Sequence, residues 1–270
     1  MSIDLDRLFA GLLPVVGKSA LQDGEIGDCF RQIVASLVHF DHIVVFAYRA
    51  EERPIDLYST FNAEEHMIYV TLYQEGPYLL DPFYGAVREG RYGLLRMREL
   101  APDRFFSSEY YRSYYVQTGL AEEIGYFIPV GQGITVVLSL MRKEATGVFP
   151  AREFALVKKT EGLVAKLVRS GWSDLALRFD RQQIELQSGQ SKSRKGKVAQ
   201  GVWDALNLTS REAAIVELVL QGHSSESIGL RLKISTGTVK VHRRNVYRKL
   251  GISSQTQLLA LYMNSFSHNT

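Results

Sequence analysis

The chain has 270 residues, 46% of them hydrophobic, and a formal net charge of +3, a length that suits roughly two domains. A single cysteine, Cys29, excludes an internal disulfide framework and, in its apolar surroundings, fits a packed thiol in a reducing compartment. No apolar run approaches the roughly 20 residues of a membrane span, and residues 1 to 20 lack the basic, apolar and cleavage order of a signal peptide, so the expectation is a cytoplasmic protein without a membrane partner.

The charge is unevenly placed. Residues 188 to 270 hold 12 Lys plus Arg against 4 Asp plus Glu, whereas residues 1 to 187 hold 20 against 25. A basic C-terminal part on an acidic N-terminal part points to nucleic acid as the partner of the former.

In chain order, VVGKSA at residues 15 to 20 ends like a phosphate loop. Leu12 stands where the first glycine is required, so a helix end or turn is expected. From Glu25 to Val38, Ile26, Phe30, Ile33, Val34 and Leu37 repeat at helical spacing. His39, Asp41 and His42 lack a second ligand cluster and read as structural; no metal and no cofactor is expected. Residues 42 to 61 read as two strands about a polar turn with Pro54, and 63 to 73 as a helix presenting Met67, Val70 and Tyr73. Asp81-Pro82 begins a helix running to Arg88, and Ser107 or Ser108 caps the Tyr-rich EYYRSYYVQTG, stopped by Gly119. Residues 123 to 142 form a hairpin about Gly131 and Gly133, and Phe149 to Val168 a last long helix. An antiparallel sheet flanked by helices follows.

SGQSKSRKGKVAQG, residues 188 to 201, has four basic residues, no acid and little apolar content. It reads as a flexible cationic tether, either an ordinary solvated linker or one that adds nonspecific phosphate contacts. The expected division is a sensory and dimerisation domain over 1–175, a linker over 176–201 and a DNA-binding domain over 202–267, an α+β chain overall.

The last domain carries the densest signal. Thr209 with Glu212 forms a capping box opening a helix that turns Ala213, Val216 and Leu220 inward and stops at Gly222. Ser224 or Ser225 caps a second helix carrying Ile228 and Leu232, and Ser235 caps a third. There Val239, Val246 and Leu250 fall at i, i+7 and i+11 on one face, while Lys240, Arg243, Arg244 and Arg248 project elsewhere. Gly251 ends the third, and a fourth, from Ser253 or Ser254, buries Leu258, Leu259 and Tyr262. This is a helix-turn-helix within four helices.

Leu208, Thr209, Arg211, Glu212, Gly222, Ser224, Ile228, Leu232, Ile234, Ser235, Thr238, Val239, Lys240, His242, Asn245, Lys249 and Leu250 together resemble the C-terminal domain of LuxR-type transcriptional regulators, over about a fifth of the chain. The pattern departs at Ser227 and Gly229, where Glu and Ala are usual, and at Gln255, where Arg is common. The resemblance implies double-stranded DNA as partner. Lys240, Val241 and Arg244 would meet base edges, the cations at guanine O6 and N7 and the valine at a thymine methyl. Thr238, Arg243, Asn245, Arg248 and Lys249 would position the backbone, Ser224 and Ser225 would offer a helix N-terminus to a phosphate, and Ser235 and Thr236 complete the DNA-facing set. His242 reads as structural.

The N-terminal order resembles GAF and PAS folds or the autoinducer-binding domain attached to many LuxR-type proteins. Tyr69, Tyr73 and Asp81-Pro82 are similar to that domain's run of an aromatic, a Tyr four residues on and Asp-Pro, in which the Asp accepts an amide N–H from the ligand. Acyl-homoserine-lactone binders place tryptophans nearby, whereas Trp172 and Trp203 fall at or beyond the domain edge, so a different small-molecule effector or none is expected. Tyr58, Tyr69, Tyr73, Asp81, Tyr110, Tyr111, Tyr114 and Tyr115 are the candidate ligand-binding residues, core or dimer contacts being the alternative for each. No nucleophile elbow, dinucleotide fingerprint or receiver-type acidic pocket is present, so an enzyme is not expected. The leading reading is a homodimeric, effector-responsive transcriptional regulator. The alternative is a constitutive dimeric DNA-binding or interaction protein whose N-terminal domain only dimerises.

Overall fold

The computed structural model describes residues 4–16, 21–116, 119–188, 203 and 206–267. Its elements in chain order are α1 (Leu5–Leu12), α2 (Asp23–Ala35), β1 (His42–Arg49), β2 (Ile55–Ser59), α3 (Ala63–His66), α4 (Pro82–Arg88), β3 (Gly93–Arg96) and α5 (Met97–Leu100). Then come β4 (Leu120–Gly131), β5 (Ile134–Lys143), α6 (Ala151–Lys158), α7 (Glu161–Gly171), α8 (Leu175–Ser188), α9 (Ser210–Leu220), α10 (Ser225–Leu232), α11 (Thr236–Leu250) and α12 (Gln255–Ser267). The chain divides into two compact units. One joins Met1–Val70, Ala86–Arg98 and Leu120–Ser193, the other Thr71–Gly85, Glu99–Gly119 and Arg194–Thr270.

The first unit is built on a five-stranded antiparallel sheet in the order β2-β1-β5-β4-β3. The expected hairpin is β4-β5, and its turn places Gly131, Gln132 and Gly133 at φ +97°, +50° and +70°, left-handed backbone that favours glycine at two of three positions. Ile43, Val45, Val136, Leu138 and Ile124 line one sheet face and form a continuous core with Phe30 and Val34 of α2, Val164 of α7 and Phe179 of α8. Two glycines allow α2 to sit close: Tyr58 of β2 lies over Gly27, where a Cβ would meet its ring at 2.0 Å, and Ile26 lies against Gly171. Cys29 is buried as expected.

Four local expectations change. The helix foreseen over 149 to 168 breaks between α6 and α7, because the Thr160 hydroxyl turns back on the Val157 carbonyl at 2.7 Å and meets the Tyr126 hydroxyl at 2.6 Å, competing with helix continuation. The single helix foreseen over 63 to 73 opens after His66 into a wider π-type turn, Met67–Leu72, and the Tyr-rich segment does the same over Tyr111–Tyr115. In the former, the stiff Ile68, Val70 and Thr71 side chains crowd a standard turn. The first stretch of the expected linker is helical, since α8 buries Leu175 and Phe179 and is tied down by Arg178 to Asp23 at 2.7 Å and by Arg49 to Asp180 at 2.7 Å. The remainder of that linker, 189–201, lies outside the described residues, as do 17–20 of the loop-like VVGKSA.

The second unit contains the four helices α9 to α12. Ala213, Val216, Leu220, Ile228, Val239, Val246, Leu258 and Tyr262 form its interior, with Trp203 stacked on Tyr262 at 5.3 Å. The third helical position named from the sequence, Leu250, stays only partly buried. The unit also holds the 71–85 and 99–119 segments, with Tyr73, Tyr78, Tyr84, Phe105, Tyr110 and Tyr115 buried.

Candidate nucleic-acid interface and effector site

Each helix of the DNA-binding candidate starts on the side chain foreseen for it. Thr209 exchanges bonds with Glu212, accepting its amide at 3.3 Å while donating its own amide to the carboxylate at 2.9 Å. Ser224 accepts the Ser227 amide at 3.1 Å and Ser235 the Thr238 amide at 3.0 Å. The corner between α10 and α11 is closed by Lys233 in left-handed backbone, φ +54°, and by the Ile234 amide donating to the Gly229 carbonyl at 2.9 Å. Arg211 reaches across from α9 to the Leu232 carbonyl at 2.9 Å. Gly229 has a use here: a Cβ would stand 2.8 Å from the Ile234 carbonyl oxygen. Gln255 donates to the Val219 carbonyl at 3.0 Å, joining the Gly222 amide, which reaches the same carbonyl at 3.1 Å at the end of α9.

With Val239 and Val246 buried, α11 turns Lys240, Val241 and Arg244 outward, all exposed. Thr236, Thr238, Arg248 and Lys249 are exposed too, while Ser224, Ser225, Arg243 and Asn245 are half-buried. Several are already partnered: Ser235 with the Thr238 hydroxyl at 2.8 Å, Arg248 with Asn245 at 3.1 Å, Lys249 with Glu212 at 3.1 Å, and Arg243 over the Tyr247 ring at 5.9 Å. Lys240 and Arg243 line, with Arg104, His223, Ser224, Ser225 and Thr236, a cavity of about 470 Å³.

The effector candidates converge on Asp81. One carboxylate oxygen accepts the Tyr73 hydroxyl at 3.0 Å and the Tyr115 hydroxyl at 3.1 Å, and the other accepts the Phe83 amide at 2.7 Å. Burial pushes the Asp81 carboxyl up to about 6, against the downward pull of those three bonds. Tyr110 packs 5.9 Å from Tyr115, and Tyr111 stacks on it at 5.7 Å. Phe105, at 5.4 to 6.4 Å from these three rings, belongs to the same cluster; its only sequence signal is the Phe-Phe pair just before the capping serines.

Other candidates lie apart. Tyr58 donates to Asp28 at 2.9 Å over α2, and Tyr69 packs on Phe61 at 5.2 Å, both in the first unit. The Tyr114 side chain lies outside the described ones. Asp41 receives the Lys143 amide at 2.7 Å and the Thr146 hydroxyl at 2.9 Å, tying down the end of β5. Among the described residues no group of His, Cys, Asp and Glu has the arrangement of a metal site, and no helix is long and apolar enough to cross a membrane. Trp172 packs on Phe30 and donates to Asp23 at 2.8 Å, a core role.

A capped helix-turn-helix with a cationic outward face, in one chain with an antiparallel-sheet domain, defines a DNA-binding regulator with an attached second domain. The family model "Bacterial regulatory proteins, luxR family" matches residues 206–262. An Aeromonas salmonicida protein, named as an HTH-type transcriptional regulator in the exeN 3′ region, is 32% identical over 185 residues, 68% of this chain and 93% of its own length. The HTH-type regulator YhjB of Escherichia coli is 41% identical over 54 residues, 20% of this chain and 27% of its own. The crystal structure of the VqsR LBD domain from Pseudomonas aeruginosa aligns with a TM-score of 0.52 at 23% identity, covering 62% of this chain and 94% of that one, and shows the shared fold. The chain belongs to the luxR family of bacterial transcriptional regulators, a family of regulators and not of enzymes.

Proposed function

We propose that this regulator reads duplex DNA through Lys240, Val241 and Arg244, and that a small molecule sensed at the Asp81 cluster sets its activity. The observation that carries the first half is the outward, exposed placement of those three side chains on a helix whose opposite face is sealed by Val239 and Val246. A helix fits the major groove, and its cations donate to guanine while the valine meets a thymine methyl. Ser224, Ser225, Ser235, Thr236, Thr238, Arg243, Asn245, Arg248 and Lys249 hold phosphates and fix register without reading sequence.

Support for the second half is a buried carboxylate met by two tyrosine hydroxyls inside an aromatic cage. Such a group suits a ligand with an N–H or O–H donor and a flat or apolar body. The protein acts as a homodimer, two reading helices engaging half-sites about 10 bp apart.

A gel-shift titration against a palindrome library tests the reading face. Lys240→Ala and Arg244→Ala each weaken binding to the preferred site by about 1–3 kcal/mol and relax its sequence preference, whereas Arg248→Ala weakens all sequences alike and flattens the salt dependence. Unchanged affinity and preference in both of the first variants would overturn the assignment.

A further inference from the structure

The end of α9 and the start of α10 do not face open solvent. Asp103 accepts the Ser224 amide at 2.9 Å, and the Arg104 amide donates to the Gly222 carbonyl at 2.9 Å. Gly222, at φ +94°, lies so close that a Cβ would stand 2.6 Å from the Phe105 Cα. On the flank, Gln221 donates to the Leu79 carbonyl at 3.3 Å and Tyr262 to the Gly76 carbonyl at 3.4 Å. All these residues belong to the second unit.

A helix N-terminus offers its amides and the positive end of its dipole to an anion, and at Ser224 that anion is a carboxylate of the same chain. Burial raises the Asp103 carboxyl, but hydrogen bonds from Ser224 and the neighbouring His223 outweigh it, so its net position is below the usual carboxylate range. The seat therefore favours a negative charge. Arg104, Ser107 and Ser108 line the same cavity as Ser224, Ser225, Thr236, Lys240 and Arg243, so the 104–108 segment lies beside side chains assigned above to DNA contact.

We infer that Asp103 is an internal stand-in for a DNA phosphate, and that the contact of residues 103–106 with Gly222 and Ser224 is an autoinhibitory latch that must open before the helix-turn-helix binds DNA. A phosphate and the Asp103 carboxylate cannot share the Ser224 amide, so DNA binding and the latch exclude each other. The latch segments run directly into the effector candidates. Leu79 is two residues from Asp81, and Phe105 meets the rings of Tyr110, Tyr111 and Tyr115. A ligand that separates Asp81 from Tyr73 and Tyr115 would displace the two stretches of chain that hold the latch, giving it the differential interaction a switch requires.

The inference rests on the DNA-binding reading, and two measurements on the full chain separate them. The first is anisotropy with a labelled random-sequence duplex at low salt, which reports phosphate contacts without knowledge of an operator. Asp103→Ala tightens binding about fivefold or more, within the usual range of coupling between sites, whereas Glu99→Gln, which removes an equal charge from an exposed position nearby, stays near the unaltered protein. The second is the pair Asp103→Cys with Ser224→Cys. It closes into a disulfide under mild oxidation without DNA, the oxidised form loses the DNA binding that Ser224→Cys alone retains, and reduction returns the pair to the level of Ser224→Cys alone or above. Equal affinities for Asp103→Ala and Glu99→Gln, or a cysteine pair that fails to close, would overturn the latch. Absence of DNA binding in every variant, reduced or oxidised, would instead sink the DNA-binding reading, with the disulfide still reporting the latch.

Discussion

Asp81 is where single-residue physics says most about function. A carboxyl held at about 6 in the folded chain against 3.8 as its reference keeps a proton between those pH values that the unfolded chain has lost. The stability it contributes is complete below about pH 4 and is lost as pH rises through 6. Each tenfold difference in proton affinity between the folded and unfolded chain is worth about 1.4 kcal/mol, so the loss comes to about 3 kcal/mol in all. Folding tolerates this cost where a site needs a buried acceptor. Asp81→Asn removes the titration, so thermal melts should show the variant gaining about 3 kcal/mol relative to the unaltered protein between pH 4 and pH 7.5, and an effector-induced rise in its melting temperature should disappear. A difference that stays flat with pH would mean that Asp81 carries no shifted proton. Gly229 and Gln255, two of the three positions that depart from the family's usual residues, also acquire reasons at this scale: one admits the Ile234 carbonyl and the other ties α12 to the Val219 carbonyl.

Helices α9, α10 and α11 depend on their first turns. Ser235 serves both the Thr238 amide and the Thr238 hydroxyl, so Ser235→Ala should cost about 1 kcal/mol, read as a lower urea midpoint for the helix-turn-helix transition with an unchanged slope. No midpoint change would show that the cap is replaced by water. These caps and the spacing of Val239 and Val246 were legible in the sequence because both signals are local, lying within one helix turn or two. The β4-β5 hairpin and α2 were legible for the same reason. β3 was not: its four residues are held by pairing with the distant β4, Leu94 opposite Tyr126, and carry too short a pattern to see. α8 was missed because what anchors it, Arg178 on Asp23 and Phe179 in the core, comes from the other end of the domain. The Asp81 site was half legible. Tyr73 and Asp81 lie eight residues apart on one segment, but Tyr115 joins them from 34 residues away, while Tyr58, similar in type, faces α2 from β2.

At the scale of the whole molecule, a reading helix of this size contacts too few base pairs for useful specificity alone, and pairing two copies multiplies the discrimination. The surface of the first unit offers a place for that pairing. Leu177 and Ile184 are 59% and 64% exposed on α8, and their seven-residue spacing puts both on one helix face, opposite in role to Leu175 and Phe179, which are buried in the core. Large apolar side chains left in water at this spacing gain by covering one another across a twofold axis, where the same patch meets itself. Replacing both, Leu177→Glu with Ile184→Glu, sets like charges face to face across such an axis while leaving the core of α8 intact. If the chain pairs as proposed, sedimentation should show a smaller assembly for the double variant than for the unaltered protein, and affinity for a palindromic site should fall toward that for a single half-site, while thermal stability of the first unit persists. A double variant that sediments with the unaltered protein would rule out this face of α8 as a pairing surface.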